Sequence, residues 1–171
     1  MIRHCEKKLV VALIENFFSY KKFLKYYNTS DENFIIISDD FFLITKLSKL
    51  PRIKNIFSKN KYVTMYDVAN DVTKNINIIN RWLTEIAEKL GINYHLLEWR
   101  TIPEGGKTTQ RIQDFIILKY SFDQILSKFK VSKGLVFFSH GEDYEQSALK
   151  ASLYEKEISL VEFKNYFSYF F

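Results

Sequence analysis

Six short apolar runs punctuate this chain, at residues 9–13, 34–37, 62–66, 94–99, 135–138 and 158–163. All but the last lead into a stretch whose apolar residues recur at helical spacing. Alternation of this kind has one economical solution. Parallel strands form a central sheet and the intervening helices cover both of its faces. The expected fold is therefore a three-layer α/β domain with a mostly parallel sheet of about six strands. Parallel sheets carry their chemistry at the carboxyl ends of the strands, so the alternation also says where a site belongs.

The run at residues 9–14 is apolar throughout, as a central strand buried on both faces requires. Residues 17–27 follow at helical spacing and end in the polar turn Asn28-Thr29-Ser30-Asp31. The second run is closed by Ser38-Asp39-Asp40, where either aspartate can cap the next helix. That helix has Phe42, Ile44 and Leu47 as its expected stripe and Pro51 beyond its end. Residues 53–61 are basic and read as irregular. Asp67 has the position of a cap, and Val68, Val72, Ile76, Ile79, Leu83, Ile86, Ala87 and Leu90 mark the clearest helical stripe in the sequence. Gly91 stands where a left-handed cap belongs. Residues 112–129 favour helix. Gly134 is expected to open the fifth strand, and Tyr144, Ala148 and Ala151 to face the core from the helix after it. The aromatic tail at 165–171 predicts either packing onto this domain or a contact with a further domain or subunit.

Length and composition set limits. At 171 residues the chain is expected to form one domain, residues 1–171, with a real core. A single cysteine, Cys5, allows no internal disulfide and fits a reducing, cytoplasmic setting. The opening apolar run stops at Glu15 and Asn16, too soon for a membrane span, and no cleavage site for a signal peptide follows it. A net charge of +5 from scattered basic residues gives no specific reason to expect nucleic acid.

If the sheet is parallel, one edge collects Glu15, Asn16, Ser38, Asp39, Asp40, Asp67, Arg100, Ser139, His140, Glu142 and Asp143. Each aspartate or serine can simply cap its own helix, and Asp67 most plainly so. Of the rest, His140 and Glu142 are the catalytic candidates. An imidazole in a strand-end Ser-His-Gly turn is well placed for proton transfer. Glu15, Asn16, Ser38, Asp39, Asp40, Arg100, Ser139 and Asp143 are the ligand-binding candidates.

Other patterns are weaker. Gly105-Gly106-Lys107-Thr108-Thr109 lacks the full phosphate-loop pattern. No dinucleotide fingerprint follows the first strand, so no cofactor is expected. Histidine, cysteine and carboxylate residues show no metal-ligand spacing, and no metal is expected. Glu162-Phe163-Lys164 places two charges on one side of a strand, a spacing that metal-dependent nucleases use, but no second acid is evident nearby. A helix-turn-helix within 67–90 would need a turn at Thr73-Lys74-Asn75, across an unbroken stripe.

The order of elements after Trp82 adds a resemblance. A helix ends in Leu90-Gly91-Ile92, then come Tyr94-His95-Leu96-Leu97-Glu98-Trp99 and a glycine-containing loop. A helix rich in phenylalanine and leucine leads to Gly134-Leu135-Val136-Phe137-Phe138-Ser139-His140-Gly141-Glu142-Asp143-Tyr144-Glu145, with Ala148 and Ala151 before the last strand. This resembles the N-terminal Rossmann-like half of GT-B type glycosyltransferases of bacterial surface-carbohydrate and capsule synthesis. The resemblance implies an acceptor-binding half-domain that supplies a base, with His140 and Glu142 as the positions to test. It implies a nucleotide-sugar donor or carbohydrate acceptor as ligand. The donor half is not in this sequence, so activity would need a C-terminal domain or a partner subunit. The rival expectations are a non-catalytic Rossmann-like binding or interaction module and a metal-dependent nuclease-like domain using Glu162 and Lys164.

Overall fold

The computed structural model describes residues 8–59, 81, 84, 85, 87–91, 107–139 and 143–164. Its elements run β1 (Leu9–Leu13), α1 (Phe17–Thr29), β2 (Asn33–Ile37), α2 (Phe41–Leu47), β3 (Ile53–Phe57), α3 (Lys107–Lys128), β4 (Val131–Phe138), α4 (Tyr144–Glu155) and β5 (Ser159–Lys164). The sheet has five strands in the order β3-β2-β1-β4-β5, and every neighbouring pair is parallel.

Strand alternation sends β1 side chains to both layers. Val11 and Leu13 join a core with Leu118, Phe122, Ile125 and Leu126 of α3 and Ala148, Leu149 and Leu153 of α4. Val10, Ala12 and Ile14 join the opposite core with Phe23 and Tyr27 of α1 and Leu43 and Leu47 of α2. The expected three-layer, Rossmann-like α/β fold is thus present. Right-handed crossovers explain the division of helices. The chain steps outward from β1 to β3 with α1 and α2 on one face. It then returns past β1 to β4, which puts α3 and α4 on the other. Between β1 and β4 the connections leave in opposite directions, the switch point at whose carboxyl side open α/β sheets place their ligand crevice.

Several sequence expectations need correction. Among the described residues the sheet has five strands, where about six were expected. The stretch read as irregular holds β3, a short edge strand whose Lys54 and Asn55 are exposed and break its apolar run. The runs expected as strands at 62–66 and 94–99 lie outside the described residues, as do Asp67 and the aromatic tail. Gly91 does adopt the left-handed conformation, with φ 62°. The buried stripe of α2 is Leu43 and Leu47, one turn apart, and Phe42 points outward. Tyr144 is exposed as well, while Ala148 is buried. Gly134 lies inside β4 and does not open it. A Cβ there would overlap Leu153 Cδ1, so α4 packs directly on the β4 backbone.

A candidate ligand crevice at the strand switch point

Glu15 is the second residue past β1. Its backbone is held by an adjacent cap: Asn16 accepts from Ser19 N at 2.9 Å, and Glu15 N and Asn16 N both donate to Ser19 Oγ at 3.1 Å. This reciprocal capping box fixes the first turn of α1 and the direction in which the chain leaves the sheet. Asp143 caps α4 in a similar way, accepting from Glu145 N and Gln146 N. Asp40 caps α2 through Leu43 N at 3.0 Å.

Lys59, two residues past the end of β3, reaches across the carboxyl edge. Its Nζ lies 2.9 and 3.0 Å from the two oxygens of Glu145, 3.3 Å from Glu15 Oε1 and 3.9 Å from Asp39 Oδ2. Its backbone is held at both ends, since Lys59 N donates to Asp39 Oδ1 and Ser121 Oγ donates to Lys59 O. Four elements therefore meet at one ammonium. Burial pushes the Lys59 ammonium below the ordinary lysine range, against the pull of Asp39 and Asp143. Burial also lifts the Glu145 carboxyl above the ordinary carboxylate range. Both shifts have the same origin, the cost of keeping charge in a partly desolvated crevice.

Gln146 is the structural pin of this site. It is 1% exposed. Its Nε2 donates to Leu13 O at 3.1 Å and to Glu15 Oε2 at 2.8 Å, and its Oε1 accepts from Phe137 N at 2.9 Å. The β1–β4 ladder ends at Ala12 and Leu135. Past that point the strands diverge, and one side-chain amide satisfies the backbone groups that a continuing ladder would have paired. The same amide orients Glu15.

Carboxylate oxygens of Glu15, Asp143 and Glu145 lie within 4.8 Å of one another. Oxygen clusters of this kind suit hard divalent cations, and here the Lys59 ammonium already supplies counter-charge to two of the three. The sequence showed no metal-ligand spacing because Glu15 follows β1 while Asp143 and Glu145 open α4, and only the sheet brings them together.

The sequence-derived candidates divide accordingly. Glu15, Asp39 and Asp143 converge on the crevice. Asn16 and Asp40 are caps. Ser38 is fully buried, its Oγ accepting from Asp40 N at 3.3 Å and its N donating to Phe57 O. Ser139 follows the end of β4. Arg100, His140 and Glu142 lie outside the described residues. Glu162 stands apart on β5, with Oε1 2.5 Å from Lys150 Nζ and Oε2 3.2 Å from Lys164 Nζ.

Three participants escaped the sequence reading. Lys59 was hidden because β3 was not recognised, so its strand-end position was invisible. Glu145 stands in the first turn of α4, where the sequence alone suggests only an acid suited to the helix macrodipole. Gln146 sits three residues after an Asp cap, where a capping box would turn it back on its own helix, yet it reaches across to β1. The chain matches no protein-family model, and comparison with curated proteins and with solved structures finds no match.

Proposed function

We propose that this domain binds a neutral, polyhydroxylated ligand at the β1–β4 crevice, as the acceptor-binding half of a glycosyltransferase-like enzyme of surface polysaccharide synthesis would. The observation that carries this reading is the chemistry of the switch point. In dinucleotide-binding relatives of this topology, glycines and a bare helix N-terminus receive phosphates there. Here the first turns of α1 and α4 are filled by the chain's own Asn16, Ser19 and Asp143, and Glu15, Asp39, Asp143 and Glu145 surround the opening. Carboxylates repel phosphate and accept hydroxyl donors, often in pairs. That set suits a sugar acceptor and not the anionic part of a donor.

In this reading Glu15 and Asp39 receive ligand hydroxyls, and Glu145 is a base candidate because burial raises its proton affinity toward the working range of a general base. His140 and Glu142 remain base candidates too, since their segment joins Ser139 to the Asp143 cap. Nucleotide-sugar chemistry would come from a second domain or a partner subunit, in a cytoplasmic setting. The test is calorimetric titration with neutral oligosaccharide acceptors and, separately, nucleotide sugars. Saccharide binding should weaken by at least about tenfold in Glu15→Gln and Glu145→Gln, the loss of one charge-assisted hydrogen bond. Glu162→Gln should bind as wild type, and His140→Ala should lose turnover in the assembled enzyme with little change in binding. Failure of every saccharide to bind, or nucleotide binding that depends on Glu15, would refute the reading.

One observation favours a second reading, a binding module without chemistry. Both carboxylate oxygens of Glu15 are already engaged, by Lys59 and Gln146. Saccharide binding with no turnover in any assembled complex would select it. The nuclease-like reading draws less support, because both oxygens of Glu162 are taken by lysines.

A further inference from the structure

We propose that an aromatic and basic face shared by α1 and α2 docks this protein on an anionic lipid surface. Phe17, Phe41 and Phe42 are 57%, 83% and 62% exposed. A single exposed phenylalanine needs no explanation, but Phe17 and Phe42 are linked through Tyr20 and Lys46, and Phe41 is next to Phe42 in the chain. Phe17 stacks on Tyr20 with ring centroids 6.3 Å apart. Lys46 Nζ lies 5.7 Å from the Tyr20 centroid and 4.1 Å from that of Phe42, which joins the two helices. Lys21 covers Phe17 at 4.6 Å, and Lys22 covers Phe18 at 5.6 Å.

Charge decides what fits this face. Asp39 and Asp40 are exposed beside Phe41, each with one oxygen engaged, Asp40 Oδ1 by Leu43 N and Asp39 Oδ1 by Lys59 N. The charges seated over the rings are the lysines Lys21, Lys22 and Lys46. Protein interfaces are enriched in aromatic residues and arginine but depleted in lysine, so the lysines are what set this face apart. Phenylalanines ringed by lysines have the makeup of a membrane-surface element. The rings enter the headgroup boundary, and the flexible ammonium groups reach lipid phosphates. Phe17 follows Glu15 by two residues, so docking would bring the crevice to the headgroup layer. The inference does not rest on the sugar reading, since none of its test variants alters a crevice residue.

Co-sedimentation of the full chain with phosphatidylcholine vesicles, with and without phosphatidylglycerol, tests it. Binding should require phosphatidylglycerol and decline as added salt screens the lysines. The double substitution Phe41→Ser with Phe42→Ser should weaken binding by at least about tenfold, because each ring loses its buried area. Lys21→Glu with Lys46→Glu should do the same by reversing charge while leaving the rings in place. All four positions are at the surface, and unchanged thermal unfolding of each variant would show that the fold is intact. Absence of vesicle binding, or binding that ignores both double substitutions, would overturn the proposal. A dimer in light scattering that the phenylalanine variant dissociates, without vesicle binding, would overturn it in favour of a second copy of this chain.

Discussion

Replacing Gln146 by leucine keeps nearly the same volume and removes three hydrogen bonds at once. Phe137 N–H and Leu13 C=O are left buried without a partner, and Glu15 loses its 2.8 Å donor. An unsatisfied buried backbone group costs about 1–3 kcal/mol. Glu15 can recover part of its loss from water, and the leucine side chain returns some apolar stabilisation. A net cost of about 3 kcal/mol follows, which in a domain of this size lowers Tm by roughly 6–12 °C. Thermal and urea unfolding followed by circular dichroism measure it directly. Gln146→Glu sharpens the test. The introduced carboxyl faces Glu15 and Leu13 O, and only its protonated form can donate. Its pKa in the fold must therefore lie above its unfolded value. Stability of Gln146→Glu should be highest in mild acid and be lost as pH rises through that raised pKa. A Gln146→Leu variant within about 1 kcal/mol of wild type at neutral pH would refute the claim that this amide closes the gap between β1 and β4.

Further expectations can be tested in the same assays. Lys59→Met should destabilise by about 2 kcal/mol at neutral pH, because Glu15, Asp143 and Glu145 then face one another without a cation. Burial already holds the Glu145 carboxyl above the ordinary range, so the deficit should shrink on acidification. Gly134→Ala should cost about 1–3 kcal/mol through overlap with Leu153. A double-mutant cycle with Leu153→Ala should recover part of it, and additive losses would refute the contact. Glu32 is lifted by burial but pulled further down by hydrogen bonds from Lys133 and Tyr26, and its carboxyl ends below the ordinary range. The sign is that of a depressed acid. Its stabilisation is full above the unfolded pKa and is lost as pH falls through the folded one. Glu32→Gln should therefore lower stability at neutral pH and flatten the acid limb of the stability curve.

Much of the fold was legible because burial on two faces leaves a plain mark. β1, as Leu9-Val10-Val11-Ala12-Leu13, and β2, ending Phe34-Ile35-Ile36-Ile37, are apolar at every pitch since both faces meet helices. Edge position erased that mark in β3, where Lys54 and Asn55 interrupt the run. The exposure of Phe42 and Tyr144 misled for the opposite reason, since an aromatic at helical spacing looks like core whether or not a neighbour covers it.

That Glu15, Asp39 and Asp143 would share one rim followed from the alternation of strands and helices, because a parallel sheet puts every strand end on one edge. Local sequence also determined the caps, since Asn16, Asp40 and Asp143 act on backbone groups within three residues. What only the tertiary structure decided was the pairing across that rim. Lys59 meets Glu15 and Glu145 over separations of 44 and 86 residues, and Gln146 reaches Leu13 over 133. Such contacts depend on β4 inserting beside β1, a choice made by the packing of two helical layers and written in no local pattern.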